Sequence, residues 1–305
     1  MIEPLALPGQ VFSEEDRACF ERARAGEAGL EADTARLFLA AVERARTLIE
    51  RLHEQSNAGV GDAHVLIVRG AFWKQHPWTG ARGERIAEAA AALGVPCTVV
   101  DTPSLGTLEH NAARVACAVA EHAEQRVVVV SLSKGSADVK AALSGPAAGC
   151  VAAWLDLSGT TEGTPVVEQV RSVWWRWTAV RVILAARRQP AEALTELHLD
   201  NKVLARPVVL PRGVPHVRVL AFPLRRHLSC PWAERAYARL EKHGPNDGGG
   251  VLLKPAAELA ARGNSTVVLP VWGADHYLRP QWSFDSALAA LLRLLCAARQ
   301  GPAHQ

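Results

Sequence analysis

The segment that most restricts what this chain can become is Arg126–Ser136, in which four consecutive valines, Val127 to Val130, run into Ser131–Leu132–Ser133–Lys134–Gly135. Four β-branched residues in a row are too short for a helix core and read as a strand buried on both faces, the kind a parallel sheet contains. The Ala-rich stretch from Lys134 to Leu143 reads as a helix and stops at Gly145–Pro146. Between the two stands small-x-Ser-x-Gly, with Ser131 and Gly135 flanking Ser133. A chain that reverses from strand to helix within a residue or two needs small neighbours there, because bulk would collide across the turn. Such a turn lifts the Ser133 hydroxyl out at the carboxyl end of the sheet. It also points the Lys134 amide, at a helix N-terminus, toward developing negative charge. Taken alone the five-residue pattern describes many polar loops; the strand before it and the helix after it favour a nucleophile.

The rest of the chain alternates in the same way. Ser13–Glu14–Glu15–Asp16 reads as a helix start, and a longer helix from about Leu30 to Gln55 carries Phe38, Ala41, Val42, Ala45, Ile49 and Leu52 at helical spacing. Both are expected to pack on the main domain as a helical segment over residues 1–60. Val65–Val68 is the next buried strand, and Gly70 just beyond it lets backbone amides turn inward, with Ala71 or Phe72 as candidate donors to an oxyanion. Trp73 and the aromatic loop His76–Gly80 border a pocket or simply pack. A helix over Gly83–Leu93 and a strand at Cys97–Val100 complete a βαβ unit, and Thr107 caps the helix that leads into the valine strand. Cys150–Asp156 is again a strand.

Beyond it the alternation breaks from Thr160 to about Arg212, which is expected to be an insertion lying over the site. There Thr164–Pro165 starts a helix with Val166, Val170, Val173, Trp177, Val180 and Leu184 along one face. Trp174, Trp175 and Trp177, with Trp73, are candidate substrate contacts, weighed against ordinary packing. Strands resume at His216–Phe222 and Thr266–Val271, separated by a helix opening at Pro231, and a helix from Phe284 to Arg299 closes the chain. One economical architecture follows: an α/β fold on a mostly parallel, doubly wound sheet over residues 61–305.

At 305 residues, 49% apolar and 21% charged, the chain has the composition of a soluble globular protein. Its net charge of +3 is small and its basic residues are dispersed, so nucleic acid is not an expected partner. The six cysteines are widely spaced, with no C-x-x-C and no Cys/His grouping of zinc type. They read as buried apolar residues of a reducing compartment, so a cytoplasmic protein without a metal or other cofactor is expected. Met1–Ile2–Glu3–Pro4 has no basic n-region leading into an apolar run, and no stretch of ~18 uninterrupted apolar residues occurs, so neither a secretory signal nor a membrane span is expected. Nothing in the pattern fixes an oligomeric state.

A serine hydroxyl needs a base to take its proton, and the base needs a carboxylate to fix its tautomer. Of 11 histidines, His276 stands in Gly273–Ala274–Asp275–His276–Tyr277, a loop directly after the last strand, which returns it to the sheet edge that carries Ser133. His53, His122 and His243 fall on helices among charged neighbours, His304 falls in the tail, and His76 and His216 remain pocket candidates. No acid occurs between Lys202 and Ala233, so the carboxylate is either Asp247, in the glycine-dense Asn246–Gly250 loop, or Asp156 at a strand end. The order Ser, Asp, His holds for both, and Asp247 is favoured because its glycines let the loop fold back.

In this order of parts, from about Val65 to Arg299, the chain resembles the α/β-hydrolase superfamily in its lipase- and esterase-like serine hydrolase branch. The resemblance rests on the Ser131–Gly135 elbow and on the loops at Gly70–Phe72, Asn246–Gly248 and Gly273–Tyr277. It implies Ser133 as nucleophile, His276 as general base, Asp247 as its partner, and Lys134 with Ala71 or Phe72 as oxyanion amides. Ser131 in place of the usual first glycine and the helical N-terminus depart from the family pattern. The implied activity is hydrolysis of an ester, thioester or amide in a small-molecule acyl substrate. Acyl transfer or cyclisation on the same scaffold and a non-catalytic binding role are the alternatives.

Overall fold

The computed structural model describes residues 4–54, 59–186, 189–207, 209–252, 266–279 and 283–297. Its centre is six strands: β1 (Ala63–Val68), β2 (Cys97–Val99), β3 (Arg126–Leu132), β4 (Val151–Leu157), β5 (His216–Phe222) and β6 (Thr266–Trp272). They lie in the order β2-β1-β3-β4-β5-β6 and every pairing is parallel. All strand ends that lead to helices or loops of interest therefore share one edge, and the valine strand β3 sits inside, between β1 and β4.

The four valines divide by the two-residue period of a strand. Val128 and Val130, with Val65 and Ile67 of β1, face one apolar cluster; Val127 and Val129, with Leu66 and Val68, face the other. The first cluster is closed by α1 (Glu14–Arg24), α2 (Leu30–His53), α3 (Glu84–Ala92) and α10 (Asp285–Ala297). The second is closed by α4 (Leu108–Glu121) and α5 (Lys134–Ala142). Helices on both faces explain why β3 carries no alternating polar residue.

The N-terminal pair is part of this core. Ser13 caps α1, its side chain accepting from the Asp16 amide at 3.1 Å. Phe38 on α2 lies 5.5 Å from Phe20, 5.0 Å from Trp272 and 5.8 Å from Phe222, ring centre to ring centre. Helix α2 thus lies across β5 and β6 and covers a face that would otherwise be open to water. Gln55, the expected end of the second helix, and Arg299, the expected end of the last, fall outside the described residues.

The insertion contains α6 (Pro165–Arg171), α7 (Trp174–Ala186) and α8 (Glu192–Thr195). The single stripe expected from Val166 to Leu184 is here split between two helices. At the break the Ser172 hydroxyl donates to the Gln169 carbonyl at 3.0 Å, one of the local side-chain bonds that compete with the helix ladder. Helix α9 (Pro231–Leu240) follows β5. The insertion is tied down from below: the buried Lys140 ammonium on α5 donates to the carbonyls of Thr161 (2.9 Å) and Leu204 (3.0 Å).

Because Phe38 is fully buried among four aromatic rings, those of Phe20, Trp272, Phe222 and Phe12, Phe38→Ala is expected to remove about 3–5 kcal/mol of stability. Urea unfolding checks this, and a loss below about 1 kcal/mol would mean that α2 is only loosely seated.

Candidate active site

Ser133 is the hinge between β3 and α5. Its backbone stands at φ 48°, ψ −117°, a sparsely populated conformation for a residue with a Cβ, costing on the order of 1–3 kcal/mol. The surroundings hold it there. Its N–H donates to Leu157 of β4 (3.1 Å), and its carbonyl accepts from Ser136 (3.0 Å) and Thr160 (3.2 Å). Gly135 is required by the close approach of α5 to the end of β1: a Cβ there would come 2.7 Å from the Val68 carbonyl oxygen and 2.5 Å from that of Arg69.

The Ser133 hydroxyl lies 2.9 Å from Nε2 of His276. Nδ1 of His276 lies 3.0 Å from Oδ2 of Asp247, whose Oδ1 accepts the amides of Gly249 (2.8 Å) and Gly250 (2.7 Å). The imidazole is fixed from its own backbone as well, since the His276 amide donates to the Asp247 carbonyl at 2.8 Å. Glycine at 249 is obligatory for the ring's position, because a Cβ there would overlap the imidazole. Beside it, Asp275 pins the loop by accepting from the Ser229 amide (3.0 Å), the Ser229 hydroxyl (2.5 Å) and the Tyr277 amide (3.0 Å).

Electrostatics follow the geometry. Burial alone would lower the His276 pKa, but the Asp247 charge and hydrogen bond outweigh it and the value is raised. Burial pushes the Asp247 carboxyl up, and the His276 interaction with the two glycine amides reverses this, leaving it lowered and ionised.

Asp156, the competing acid, is elsewhere. It is fully buried, accepts from the Ser136 hydroxyl (2.6 Å) and from Nε of Arg218 (3.2 Å), and makes no hydrogen bond with His276. Arg218 in turn grips Glu162 at the start of the insertion, with one contact of 2.9 Å. This is a buried ion network joining sheet and insertion. Ser131 belongs to it too: Trp154 donates to Ser131 Oγ (2.8 Å), which lies 2.8 Å from Ser136 Oγ. The elbow position read as merely small is thus a hydrogen-bonding member of that network, a role the local pattern does not signal.

Of the oxyanion candidates, the Lys134 amide occupies the first position of α5, where an N–H has no partner within its own helix. Its side chain turns away, burying its ammonium against Asp138 at 2.7 Å. Burial pushes the Asp138 carboxyl up to about 6 against the pull of Lys134 and Asn111. Phe72, at φ 57°, donates its amide to the Ser104 hydroxyl at 2.5 Å. Its N–H is therefore engaged, which leaves Ala71 as the second candidate donor. Ser104 was not signalled by the sequence beyond its place in the loop opened by Asp101–Thr102–Pro103.

Ser133 and His276 open into a cleft of about 640 Å³, with Phe72, Val166, Val170, Trp177, Val180 and Leu184 on its walls. Among the tryptophans named from the sequence, only Trp177 lines it. Trp174 and Trp175 point outward, 78% and 55% exposed; on α7 Trp175 lies on the side opposite Val180 and Leu184, and Trp174 stands at the helix start. Trp73 is buried off the cleft under the Arg69 guanidinium, 3.7 Å from the ring centre. His76 is on the wall, whereas His216 is buried beneath β4, stacked on Trp154 at 4.1 Å. Trp232, not named from the sequence, also reaches the cleft from the first turn of α9.

A sheet of this order with a serine turn after its inner strand is the α/β-hydrolase fold. No family model and no curated protein sequence matches the chain. Among solved structures it is similar to a metagenomic carboxyl esterase, 22% identical with a TM-score of 0.58, the match covering 79% of this chain and 76% of that one. It is also similar to the mature form of the Bacillus licheniformis lipase BlEst2, 18% identical with a TM-score of 0.51, over 70% of this chain and 84% of that one. These likenesses are likenesses of fold.

Two outcomes are expected from this geometry. Asp247→Asn should lower kcat on the order of 10⁴-fold with the fold intact. Asp156→Asn should instead cost about 1–3 kcal/mol of stability with kcat per folded molecule nearly kept; the reverse pattern would refute the assignment. A base raised by Asp247 is protonated, and inactive, below its pKa. The acid limb of the kcat/KM profile should therefore fall at a pH above the ordinary imidazole value of about 6.5. A midpoint at or below that value in the wild type would contradict the Asp247 contact.

Proposed function

We propose that this chain is a serine hydrolase that cleaves an ester, thioester or amide bond through an acyl-serine intermediate, with an apolar acyl group seated in the cleft. One observation carries the reading. The Ser133 hydroxyl, raised on a strained turn, lies 2.9 Å from an imidazole nitrogen whose ring is oriented by a buried carboxylate at 3.0 Å, and the hydroxyl opens into an apolar cleft.

In this mechanism Ser133 Oγ attacks the substrate carbonyl carbon while Nε2 of His276 takes its proton. Asp247 stays ionised, holding the proton on Nδ1 and stabilising the imidazolium. The oxyanion accepts the amides of Lys134 and Ala71. His276 then returns the proton to the leaving group as the carbonyl–leaving-group bond breaks, giving the acyl-serine. Water attacks the acyl carbon in the same geometry, gives its proton to His276, and the acid departs as Ser133 is reprotonated.

Residues 61–305 are assigned to the hydrolase domain, residues 160–212 to its cap and residues 1–60 to a helical segment packed on it. What supports the cap assignment is Thr164, whose hydroxyl donates to the Gly249 carbonyl at 2.7 Å and so joins the cap to the acid's loop. The six cysteines are all free, which supports a reducing, cytoplasmic location. The expectation that they are buried holds only for Cys19 and Cys296: Cys97 and Cys230 are partly exposed, and Cys117 and Cys150 are exposed because they lie at the surface of their elements.

A fluorophosphonate probe should label the wild type and leave Ser133→Ala unlabelled, and a panel of acyl esters should lose at least roughly 10³-fold in kcat with that variant. Trp177→Ala is expected to change KM and chain-length preference. Hydrolysis by Ser133→Ala at the wild-type rate would overturn the proposal.

A further inference from the structure

Helix α7 is apolar on both sides. Its inner side, with Trp177, Val180 and Leu184, closes the cleft. Its outer side has no cover among the described residues, and Trp174, Trp175 and Val182 are 78%, 55% and 62% exposed, while Ile183 turns back to the cleft. Three large apolar residues open to solvent on one thirteen-residue helix form the kind of patch that marks an interaction surface. At about 100° per residue, Trp175, Ala179, Val182 and Ala186 share the outward meridian, with Arg176 about 90° to one side of it and Arg181 about 130° to the other. Charge is just as uneven. From Gln169 to Ala191 there are five arginines and no acidic residue, in a chain whose total net charge is +3. The Arg176 guanidinium lies 5.2 Å from the Trp175 ring centre, so cation and ring are presented together.

We propose that this outer face of α7 is a docking surface for an anionic lipid bilayer, on which the helix lies in the plane of the headgroups. A helix of this length is roughly 20 Å long, short of the ~30 Å hydrocarbon core, and no described helix is long and apolar enough to cross a membrane. It therefore lies on a bilayer. Tryptophan and arginine suit that place: the rings enter at headgroup depth, and the guanidinium groups on the flanks meet lipid phosphates. A protein groove that receives a helix takes anchors spaced at i, i+3 or i+4, and i+7 along one stripe. The outer face of α7 has small residues, Thr178, Ala179, Ala185 and Ala186, at most of those positions, with its bulk gathered at the ends. That distribution favours a soft surface over a moulded pocket.

Docking by this face does not depend on hydrolysis, so it can fail or succeed independently of the function proposed above. The full chain is mixed with sedimentable vesicles of phosphatidylcholine alone or with about 30% phosphatidylglycerol, and partition is measured at low and high salt. Wild type and Ser133→Ala should bind the anionic vesicles alike, and high salt should weaken both. At about fivefold per arginine, Arg176→Gln with Arg181→Gln should lower anionic binding roughly 25-fold, and lysine at both sites should recover most of it. Trp174→Ala with Trp175→Ala should weaken binding to both vesicle types. Hydrolysis of a short, water-soluble ester should stay within about twofold in either double variant, which also verifies folding. Absence of vesicle binding by the wild type, or full binding by both double variants, would overturn the proposal. Self-association abolished by the tryptophan substitutions, without vesicle binding, would overturn it in favour of a subunit contact.

Discussion

The arrangement depends on one backbone conformation, that of Ser133 at φ 48°. A residue with a Cβ holds such a conformation only when its neighbours leave no alternative. Here the neighbours are parallel strands on both sides. The amide of Ser133 is tied to β4, its carbonyl to Ser136 and Thr160, and Gly135 lets α5 rest against the carbonyls at the end of β1. The bonds to Leu157 and Thr160 and the contact with the end of β1 require β3 to lie inside the sheet. Four valines shared between two apolar clusters secure that position.

The same constraint explains the buried charges below the turn. Asp156 stands at the end of β4, beneath α5, where an ionised carboxylate without partners would be costly. Burial raises its pKa, and Arg218 and Ser136 act against that. Arg218 is shared with Glu162, so the network that satisfies Asp156 also anchors the first residues of the insertion. Lys140 repeats the device from α5, holding the carbonyls of Thr161 and Leu204 near the two ends of the insertion. The cleft roof is thus fastened by polar contacts at its base, while its upper part, α7, rests on apolar contacts that face the cleft.

Much of this was legible along the chain, and the reason is local. The strands are short apolar runs, the elbow is a five-residue pattern, and His276 follows its strand directly, so neighbours in sequence carry the information. The stripe on α6 and α7 was readable too, since Val166, Val170, Trp177, Val180 and Leu184 do share the cleft. Trp174 and Trp175 were read as wall residues because they lie within three residues of Trp177. Trp175 stands about 160° from Trp177 around the helix and faces the solvent, and Trp174, at the first position of α7, is exposed as well. Trp73 illustrates the opposite case, an aromatic that Arg69 covers off the cleft.

By itself, the sequence determined a parallel sheet with a serine turn after its inner strand, because strand period, β-branching and small residues at a tight reversal are properties of contiguous residues. Tertiary structure alone decided which acid meets the imidazole. Asp156 and Asp247 are both strand-edge or loop carboxylates ahead of His276 in the chain, and only the folded positions of Arg218 and Gly249 send one into an ion network and the other to Nδ1. It also decided that Ser131 is a hydrogen-bonding group, that Ser104 takes the Phe72 amide, and that α2 covers β5 and β6. Each of these joins residues far apart in sequence, and their partners were chosen by the packing of whole elements, which no short pattern encodes.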